Sequence, residues 1–318
     1  MKRTLGRSGL EVSALGMGCW AIGGPYCFEG KPNGWGTVDD DESVHAIHKA
    51  MDLGVNFFDT ADFYGCGHSE RVLAKALDGK HDDVVIATKF GYKYDEPSRQ
   101  ASGTCADPVY IRNCCERSLN RLGRDHIDLY QFHVGSYDLD DALTIRQVLE
   151  ELVAEGKVRW YGWSTDKVKH ACLFAAGQHC TAIQHLLNVL SPNPETLPVC
   201  EEHNMASINK NPLGKGILTG KFSHDSRLPT DDFRQNWNFQ DGKQAFQLKR
   251  LDKIREILSS GGRTLGQGAL AWIWARCDKT IPIPGFKTAK QVEENANAMQ
   301  FGPLSPGQMT EIETILGR

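Results

Sequence analysis

The fold is decided by residues 84–134, which contain a strand, a helix and a second strand. Residues 84–90 (VVIATKF) and 127–134 (IDLYQFHV) are short apolar runs rich in β-branched and aromatic side chains. Between them, 107–123 (DPVYIRNCCERSLNRLG) begin with Asp107 as N-cap and Pro108 at the first helical position. One apolar stripe follows the helix: Ile111, Cys115, Leu119 and Leu122. Such a unit predicts two parallel strands joined by a helix.

The same unit recurs along the whole chain, without a linker or a change in composition. The candidate strands are Ala14–Trp20, Asn56–Ala61, Val84–Phe90, Ile127–Val134, Val158–Ser164, Ala182–Asn188, Ala206–Asn211 and Thr280–Gly285. Eight strand–helix units predict an α/β fold of the (β/α)8 TIM barrel type, as one domain over residues 1–318. An open doubly wound sheet is disfavoured because no Gly-x-Gly-x-x-Gly follows the first strand.

Two further features of the barrel are expected. Residues 1–13, with Gly6 and Gly9 at turn positions, predict a hairpin that plugs the N-terminal mouth. Long loops should follow the first, third and seventh strands on the C-terminal face. In a barrel of this type, reactive groups collect on that face.

Composition excludes several classes of protein. The chain has 318 residues, 36 basic and 40 acidic side chains and a net charge of −4, which argues against nucleic acid as a partner. No apolar run approaches the roughly 20 residues that span a bilayer, and Gly6, Arg7 and Ser8 interrupt any signal-like segment. The ten cysteines form no Cys-x-x-Cys pair, so we expect free thiols, no metal site and a cytoplasmic location.

Three predicted strands end in ionisable residues that a buried strand should otherwise avoid. Asp59, Lys89 and His133 stand at the ends of strands 2, 3 and 4, and Tyr64 follows Asp59 on the loop. Because consecutive barrel strands are neighbours, these side chains are expected to converge. A lysine beside a tyrosine lowers the tyrosine pKa from about 10, and an aspartate keeps that lysine charged. A structural Asp–Lys pair and a core histidine are the alternative interpretation.

At this point the sequence resembles the aldo-keto reductases, over nearly its whole length. The resemblance lies in residues 5–10 (LGRSGL), 58–65 (FDTADFYG), 128–133 (DLYQFH) and on to Gln291–Asn295. It implies a tetrad of Asp59, Tyr64, Lys89 and His133. It further implies transfer of a hydride from a nicotinamide to an aldehyde or ketone, with Tyr64 as general acid.

Residues 283–291 (IPGFKTAKQ) predict an anion site where a strand end meets a helix start. Thr288 and Gln291 fit a capping box, and Lys287 and Lys290 add charge to the positive end of the helix. The resemblance identifies the anion as the 2′-phosphate of NADP, so NADPH is expected as cofactor and NADH is the less favoured possibility.

The resemblance extends to residues that would hold the rest of this cofactor. Residues 212–221 (PLGKGILTGK) would wrap the pyrophosphate, Ser164, Thr165 and Gln184 would hold the nicotinamide amide, and residues near Glu294 would surround the adenine. The full predicted set is Gly18, Cys19, Trp20, Asp59, Ser164, Thr165, Gln184, Lys210, Asn211, Pro212, Leu213, Gly214, Gly216, Leu218, Lys221, Gly285, Lys287, Thr288, Gln291, Glu294 and Asn295.

Three positions depart from the family pattern. Thr165 stands where Asn is common, and Leu187 stands where an aromatic usually stacks on the nicotinamide. Residues 209–211 (NKN), which include Lys210, stand where an aromatic followed by Ser is usual. A strand-end lysine without a nearby anion would be desolvated without compensation. We therefore expect Lys210 to contact a phosphate of NADPH or an acidic group on the substrate.

The substrate is expected to be a small carbonyl compound or a sugar-like molecule, held by Trp20, Trp35, Tyr64 and His133. Further aromatic side chains stand on the long loops: Tyr26, Phe28, Tyr92, Tyr94 and Trp237. Three alternatives stay open: an NAD(P)-dependent sugar or alcohol dehydrogenase on the same site, a cofactor-sensing regulatory protein similar to channel β-subunits, and a Schiff-base aldolase using Lys89. The oligomeric state is left open.

Overall fold

The computed structural model describes residues 1–79 and 84–318. In chain order its strands are β1 (Lys2–Thr4), β2 (Glu11–Ser13), β3 (Met17–Gly18), β4 (Cys27–Phe28), β5 (Lys31–Pro32), β6 (Phe57–Asp59), β7 (Val85–Phe90), β8 (Tyr92–Asp95), β9 (Gln100–Thr104), β10 (Ile127–Phe132), β11 (Val158–Ser164), β12 (Cys180–Leu186), β13 (Ala206–Lys210) and β14 (Thr280–Pro282). Its helices are α1 (Asp40–Asp52), α2 (His68–Ala76), α3 (Pro108–Leu122), α4 (Leu139–Ala154), α5 (Val168–Ala175), α6 (Thr196–Glu202), α7 (Gly242–Ser259), α8 (Leu265–Trp274), α9 (Ala289–Asn297) and α10 (Pro306–Leu316).

A parallel sheet of eight strands forms the centre, in the order β14-β13-β12-β11-β10-β7-β6-β3. The two end strands also meet, because Gly18 forms a parallel bridge with Gly285 and its backbone N–H donates to Pro284 O at 3.0 Å. The backbone N–H of Gly16 likewise donates to Pro282 O at 3.0 Å. The sheet therefore closes on itself, which confirms the (β/α)8 barrel.

The predicted strand bounds are correct for β11 and differ by a few residues elsewhere. The strand predicted at Ala14–Trp20 is reduced to Met17–Gly18, and β12 begins at Cys180, two residues before the predicted start. The first strand is short because its neighbour pairs with only two of its residues, Met17 with Phe58 and Gly18 with Asp59. Apolar residues outside that pairing are buried as loop.

Local signals set the helix ends, and those at the start of α3 are the predicted ones. The Asp107 carboxylate accepts from the backbone N–H of Tyr110 at 2.9 Å, Pro108 opens α3, and Gly123 closes it at φ 65°. After α4, Gly156 has φ 75°, which is the left-handed conformation that glycine adopts without strain.

The predicted hairpin closes the N-terminal mouth of the barrel. Strands β1 and β2 pair antiparallel, and the turn between them is tied down because the Thr181 hydroxyl donates to Leu5 O at 2.7 Å. Leu5 and Val12 are fully buried. They pack against apolar side chains inside the barrel: Phe57, Val85, Ala87, Leu129, Ala182, Ala206, Ile208 and Ile281.

The long loops on the opposite face contain structure that the sequence pattern did not predict. Strands β4 and β5 of the first loop join β8 and β9 of the third in a four-stranded sheet, order β5-β4-β9-β8. These strands are two to five residues long and largely polar, so they lack the apolar run by which the barrel strands were identified. The sheet forms one side of the C-terminal face. Within the described ranges, no helix combines the length and apolar character needed to cross a membrane.

Candidate active site

The barrel brings the four predicted side chains together on its C-terminal face. Asp59 is the last residue of β6, Lys89 is on β7, His133 directly follows β10, and Tyr64 is on the loop after β6. The Tyr64 and His133 rings lie 5.5 Å apart between centroids, edge to face. Lys89 Nζ lies 4.9 Å from the Tyr64 ring centroid. The predicted convergence is confirmed.

Lys89 is fully buried and donates to three oxygens. Its Nζ lies 2.6 Å from Asp59 Oδ1, 2.7 Å from the carbonyl oxygen of Thr60 and 3.4 Å from the Tyr64 hydroxyl. The two short contacts bind the ammonium mainly to the aspartate and the backbone. The tyrosine therefore receives the longest and weakest of the three bonds.

The second oxygen of Asp59 has partners that the sequence analysis missed. Asp59 Oδ2 accepts from the side-chain amides of Gln131 at 3.0 Å and Gln184 at 2.8 Å. Side chains alternate along a strand, so Gln131 shares the inward face of β10 with Leu129. Because Gln131 lies two residues before His133, the same alternation places both on the inward face, and this was the signal that could have identified Gln131. Gln184 was predicted to hold the nicotinamide amide, but its side-chain nitrogen already donates a hydrogen bond to Asp59.

The predicted lowering of the Tyr64 pKa is wrong. Burial of the phenol, and next the negative charge of Asp59, raise the Tyr64 pKa well above 10. Lys89 does not offset these two effects, because its ammonium lies nearer to the aspartate than to the phenol. Tyr64 is consequently a protonated phenol at neutral pH, so its hydroxyl can donate a hydrogen bond, or a proton to an oxygen on which negative charge develops.

His133 is a neutral imidazole. Burial, followed by the charges of Lys89 and Lys210, lowers its pKa well below 6.5. Its Nδ1 is buried and has no hydrogen-bond partner among the described residues. A neutral ring can donate one hydrogen bond and accept another, which suits it to orient a polar atom.

The charge state of His133 is open to direct measurement. In a histidine-labelled NMR sample, the imidazole resonance that disappears in His133→Asn should keep its chemical shift as the pH falls from 7.5 to 5.5. The reason is that a depressed pKa places protonation below this range. A titration midpoint above pH 6 would contradict the assignment of a neutral ring.

The loop that carries Tyr64 is held against the first barrel loop. Gly65 has φ 59°, and a Cβ at this position would lie 1.9 Å from Gly23 O. A Cβ at Gly23 would lie 2.9 Å from the backbone of Tyr64 and Gly65. The two glycines therefore allow the backbones of the two loops to pack against each other, and this contact helps to position the loop that carries Tyr64.

Aromatic side chains form the wall next to Tyr64. Trp20 stacks on Tyr64 with ring centroids 6.0 Å apart, and its indole N–H donates to the Tyr26 hydroxyl at 3.1 Å. Trp35 packs edge-on against Trp20 at 5.3 Å. Of the loop aromatics named from the sequence, Trp35 and Tyr92 line the cavity, and four pack elsewhere: Tyr26, Phe28, Tyr94 and Trp237.

A cavity of about 930 Å³ extends from the tetrad across the C-terminal face. Most of the predicted cofactor residues line it: Gly18, Cys19, Trp20, Asp59, Ser164, Gln184, Lys210, Asn211, Pro212, Leu213, Gly216, Lys221, Gly285, Lys287, Gln291, Glu294 and Asn295. All four predicted substrate residues line it too: Trp20, Trp35, Tyr64 and His133. Four predicted cofactor residues do not: Thr165, Gly214, Leu218 and Thr288. Thr165 is buried, and its hydroxyl donates to Gly135 O at 2.6 Å.

The far end of the cavity is lined by four cations, Lys215, Lys221, Arg234 and Lys287. Burial lowers the pKa of each of the three lysines, and the charge of neighbouring cations lowers it further. Asp232 pairs with Arg234, with its Oδ1 2.9 Å from the Arg234 Nε. Four positive charges with only one carboxylate, Asp232, among them repel one another and lose hydration, which costs free energy unless a further anion binds. This part of the cavity is therefore a candidate anion site.

The start of α9 is less open to an anion than predicted. Thr288 does cap the helix, accepting from the Gln291 N–H at 3.3 Å, but the reciprocal half of the predicted capping box is absent. The side-chain oxygen of Gln291, Oε1, accepts instead from the backbone N–H of Lys287 at 2.8 Å. The Ala289 N–H is taken by Glu42 of α1 at 2.8 Å. The cavity is lined here by Lys287, which precedes the helix, and by Gln291, Glu294 and Asn295 within it.

Two long loops meet over this end of the cavity. Trp35 of the first loop forms an antiparallel bridge with Asp232 of the seventh, and the Arg234 guanidinium lies 4.3 Å from the Trp35 ring centroid. Lys287 Nζ donates to Trp35 O and, at 3.3 Å, to Thr37 O. The cations are therefore linked to the aromatic wall that borders the tetrad.

The departures from the family pattern have structural explanations. Leu187 is fully buried in the apolar core and does not line the cavity, so it is not at a stacking position. The premise that Lys210 lacks an anion is wrong: its Nζ lies 3.4 Å from Asp166 Oδ2. The carboxylate belongs to the loop after the neighbouring strand β11, 44 residues earlier in the chain, where sequence spacing does not reveal it.

The chain is similar in sequence to proteins of known families. The family model described as the aldo/keto reductase family matches residues 14–316. A Schizosaccharomyces pombe protein named as an aldo-keto reductase, yakc, with NADP(+) in its name, is 31% identical over 95% of this chain and 87% of its own length.

Solved structures agree with the fold and with the match to that model. The glycerol dehydrogenase AKR11B4 from Gluconobacter oxydans is 30% identical, with a TM-score of 0.84 over 97% of this chain and 93% of its own. An aldo-keto reductase from Klebsiella pneumoniae, solved in complex with NADPH, is 25% identical, with a TM-score of 0.71 over 99% of this chain and 95% of its own.

Proposed function

The chain belongs to the aldo/keto reductase family of oxidoreductases, and we propose that it reduces aldehydes or ketones with NADPH, with Tyr64 as the general acid. The observation that carries the proposal is a cavity lined both by Asp59, Tyr64 and His133 of the tetrad and by four cations. A dinucleotide carries a reactive ring and several phosphates in one molecule, so it can contact both groups of residues. The S. pombe relative and the K. pneumoniae structure, whose names include NADP(+) and NADPH, support this choice of cofactor.

The residues present fit such a cofactor. Asn211, Gly214, Lys215 and Gly216 all have positive φ, between 53° and 99°. The positive φ values let this segment turn tightly, and the N–H groups of Gly214 and Gly216 donate within it, to Asn211 O and Leu213 O at 2.9 Å. Asn211, Lys215 and Gly216 of this segment line the cavity. This segment, together with the four cations, would hold the phosphates, and Lys287 is the candidate for the 2′-phosphate. The volume of about 930 Å³ lies at the upper end of the range for ligand pockets.

The chain's own residues would act on the carbonyl oxygen of the substrate. NADPH supplies a hydride to the carbonyl carbon when bound. The protonated Tyr64 hydroxyl donates its proton to the oxygen as charge develops there, and Lys89 Nζ, 3.4 Å away, stabilises the phenolate that results. Asp59, held by Gln131 and Gln184, keeps the ammonium in position. The neutral His133 orients the oxygen.

A dehydrogenase acting on a sugar or alcohol is the second candidate, because the same groups serve both directions of one reaction. The printed name of the G. oxydans structure, a glycerol dehydrogenase, favours it. The aldolase alternative is weaker: Lys89 is fully buried, donates to Asp59 and Thr60, and does not line the cavity. A Schiff base requires an accessible amine.

Two experiments test the proposal. A panel of aldehydes, ketones and sugars should be turned over with NADPH, followed by the nicotinamide absorbance, and at least one aldehyde should be reduced. Oxidation of alcohols with NADP⁺ but no reduction of any carbonyl would support the dehydrogenase instead. Binding of NADPH with no turnover in either direction would favour the regulatory alternative.

Lys287→Ala should weaken binding of NADPH about ten- to a hundredfold and leave binding of NADH nearly unchanged. One charge-assisted contact to a phosphate accounts for this difference, because NADH lacks the 2′-phosphate. The dissociation constants are measured by fluorescence titration. The matched control is Lys290→Ala, which removes an exposed lysine in the first turn of α9 that does not line the cavity. Equal losses for NADPH and NADH would show that Lys287 does not contact the 2′-phosphate.

A further inference from the structure

Lys210 adds a fifth cation to the cavity, and its charge acts both on His133 of the tetrad and on Lys215. It is the last residue of β13, it lines the cavity, and its side chain is 27% exposed. Its charge is near enough to the tetrad to contribute to the lowered pKa of His133, and Lys89 acts on Lys210 in turn. The proton transfer proposed above uses neither Lys210 nor its partner.

Asp166 neutralises this charge only in part. Its Oδ2 lies 3.4 Å from Lys210 Nζ, compared with 2.6 Å for the fully buried pair of Asp59 and Lys89. Its other oxygen accepts from the Leu186 N–H at 2.6 Å, which anchors the carboxylate to the strand next to β13. Asp166 is 46% exposed and does not line the cavity, whereas Lys210 does. The pair therefore presents its positive end to the cavity.

We propose that Lys210 makes the site bind NADPH more tightly than NADP⁺, and that Asp166 limits this preference. The inference rests on the proposed function, which puts the nicotinamide at the tetrad end. The ring is uncharged in NADPH and positive in NADP⁺. A fixed cation nearby disfavours only the positive form. The far-end cations meet the same phosphates in both forms, so they change both affinities alike.

The preference has a functional consequence. If NADP⁺ binds less tightly than NADPH, the bound couple is more oxidising than the free one. Bound NADPH is then a weaker hydride donor, but NADP⁺ competes less well with NADPH for the site. For a two-electron couple, each factor of ten in the ratio of dissociation constants shifts the potential by about 30 mV. An aromatic at this position would carry no charge to produce the effect.

The test is a charge cycle on the pair, read out as binding without any substrate. Dissociation constants for NADPH and NADP⁺ are measured by fluorescence titration for the unmodified chain, Lys210→Met, Asp166→Asn and the double variant. We expect the ratio of the NADP⁺ constant to the NADPH constant to fall about tenfold in Lys210→Met. It should rise in Asp166→Asn, where the cation loses its partner, and fall again in the double variant.

Two control variants separate this effect from general damage. Lys210→Arg keeps the charge and should keep the ratio high. Lys221→Met removes a cation from the far end and should raise both constants by a similar factor, leaving the ratio unchanged. If Lys210→Met does not fold, Asp166→Asn alone still tests the inference through the predicted rise.

Several results would overturn the inference. An unchanged ratio in Lys210→Met, or a lower ratio in Asp166→Asn, would show that Lys210 does not act on the ring. Equal weakening of both forms in Lys210→Met would make it a phosphate contact. An unchanged ratio with a raised KM only for anionic carbonyls would assign it to the substrate. In all three cases NADPH still binds and the proposed function stands, whereas failure of the unmodified chain to bind either form would contradict both.

Discussion

Tyr64→Phe should lose 10²- to 10⁴-fold in kcat for carbonyl reduction, with the dissociation constant for NADPH within about twofold of the unmodified chain. The variant removes the proton donor and keeps the ring that stacks on Trp20 at 6.0 Å. The two quantities are measured separately, kcat at saturating NADPH and the dissociation constant by fluorescence titration.

The matched control is Tyr92→Phe, which deletes a second phenol hydroxyl on the same cavity wall. Tyr92 stacks on Phe63 at 4.6 Å, away from Lys89. This variant should keep most of its activity. Retention of most of kcat in Tyr64→Phe, or an equal loss in Tyr92→Phe, would disprove the assignment of Tyr64 as the acid.

Lys89→Met should reduce both activity and stability. Removing the ammonium leaves Asp59 buried with a negative charge and only two amide donors, and breaking a buried pair this way costs about 3–5 kcal/mol of unfolding free energy. Urea denaturation measures the loss. The double variant with Asp59→Asn should recover much of the stability, because no charge is then buried, but none of the activity.

The control for this pair is Lys75→Met, which breaks an exposed ion pair with Asp41 and should leave the unfolding free energy unchanged. A Lys89→Met variant as stable as the unmodified chain would mean that Asp59 is not charged in the folded protein. Activity restored in the double variant would remove Lys89 from the proposed proton transfer.

The barrel and the tetrad were predictable from the sequence because each depends on a repeated or local signal. Strand–helix units recur eight times, and Asp59, Lys89 and His133 each interrupt an apolar strand at its end. Parallel strands then bring those ends to one face without any further information.

What the sequence missed depends on how side chains share contacts in three dimensions. The raised Tyr64 pKa follows from burial of the phenol and from the charge of Asp59, and the partner of Lys210 comes from the loop after another strand. Gln131 carries no charge and stands on an apolar strand, so the charged residues that marked the other positions do not mark this one. The four-stranded sheet consists of strands too short and polar to show a pattern.

Transfer of deuterium tests the central claim most directly. The enzyme is incubated with a reducible aldehyde and NADPH carrying deuterium at the reactive carbon of the nicotinamide, and the alcohol product is analysed by mass spectrometry. The account predicts one deuterium on the carbinol carbon when the label occupies one of the two faces of the ring, and none when it occupies the other. An alcohol without deuterium from either labelled cofactor would contradict direct reduction by NADPH at this site.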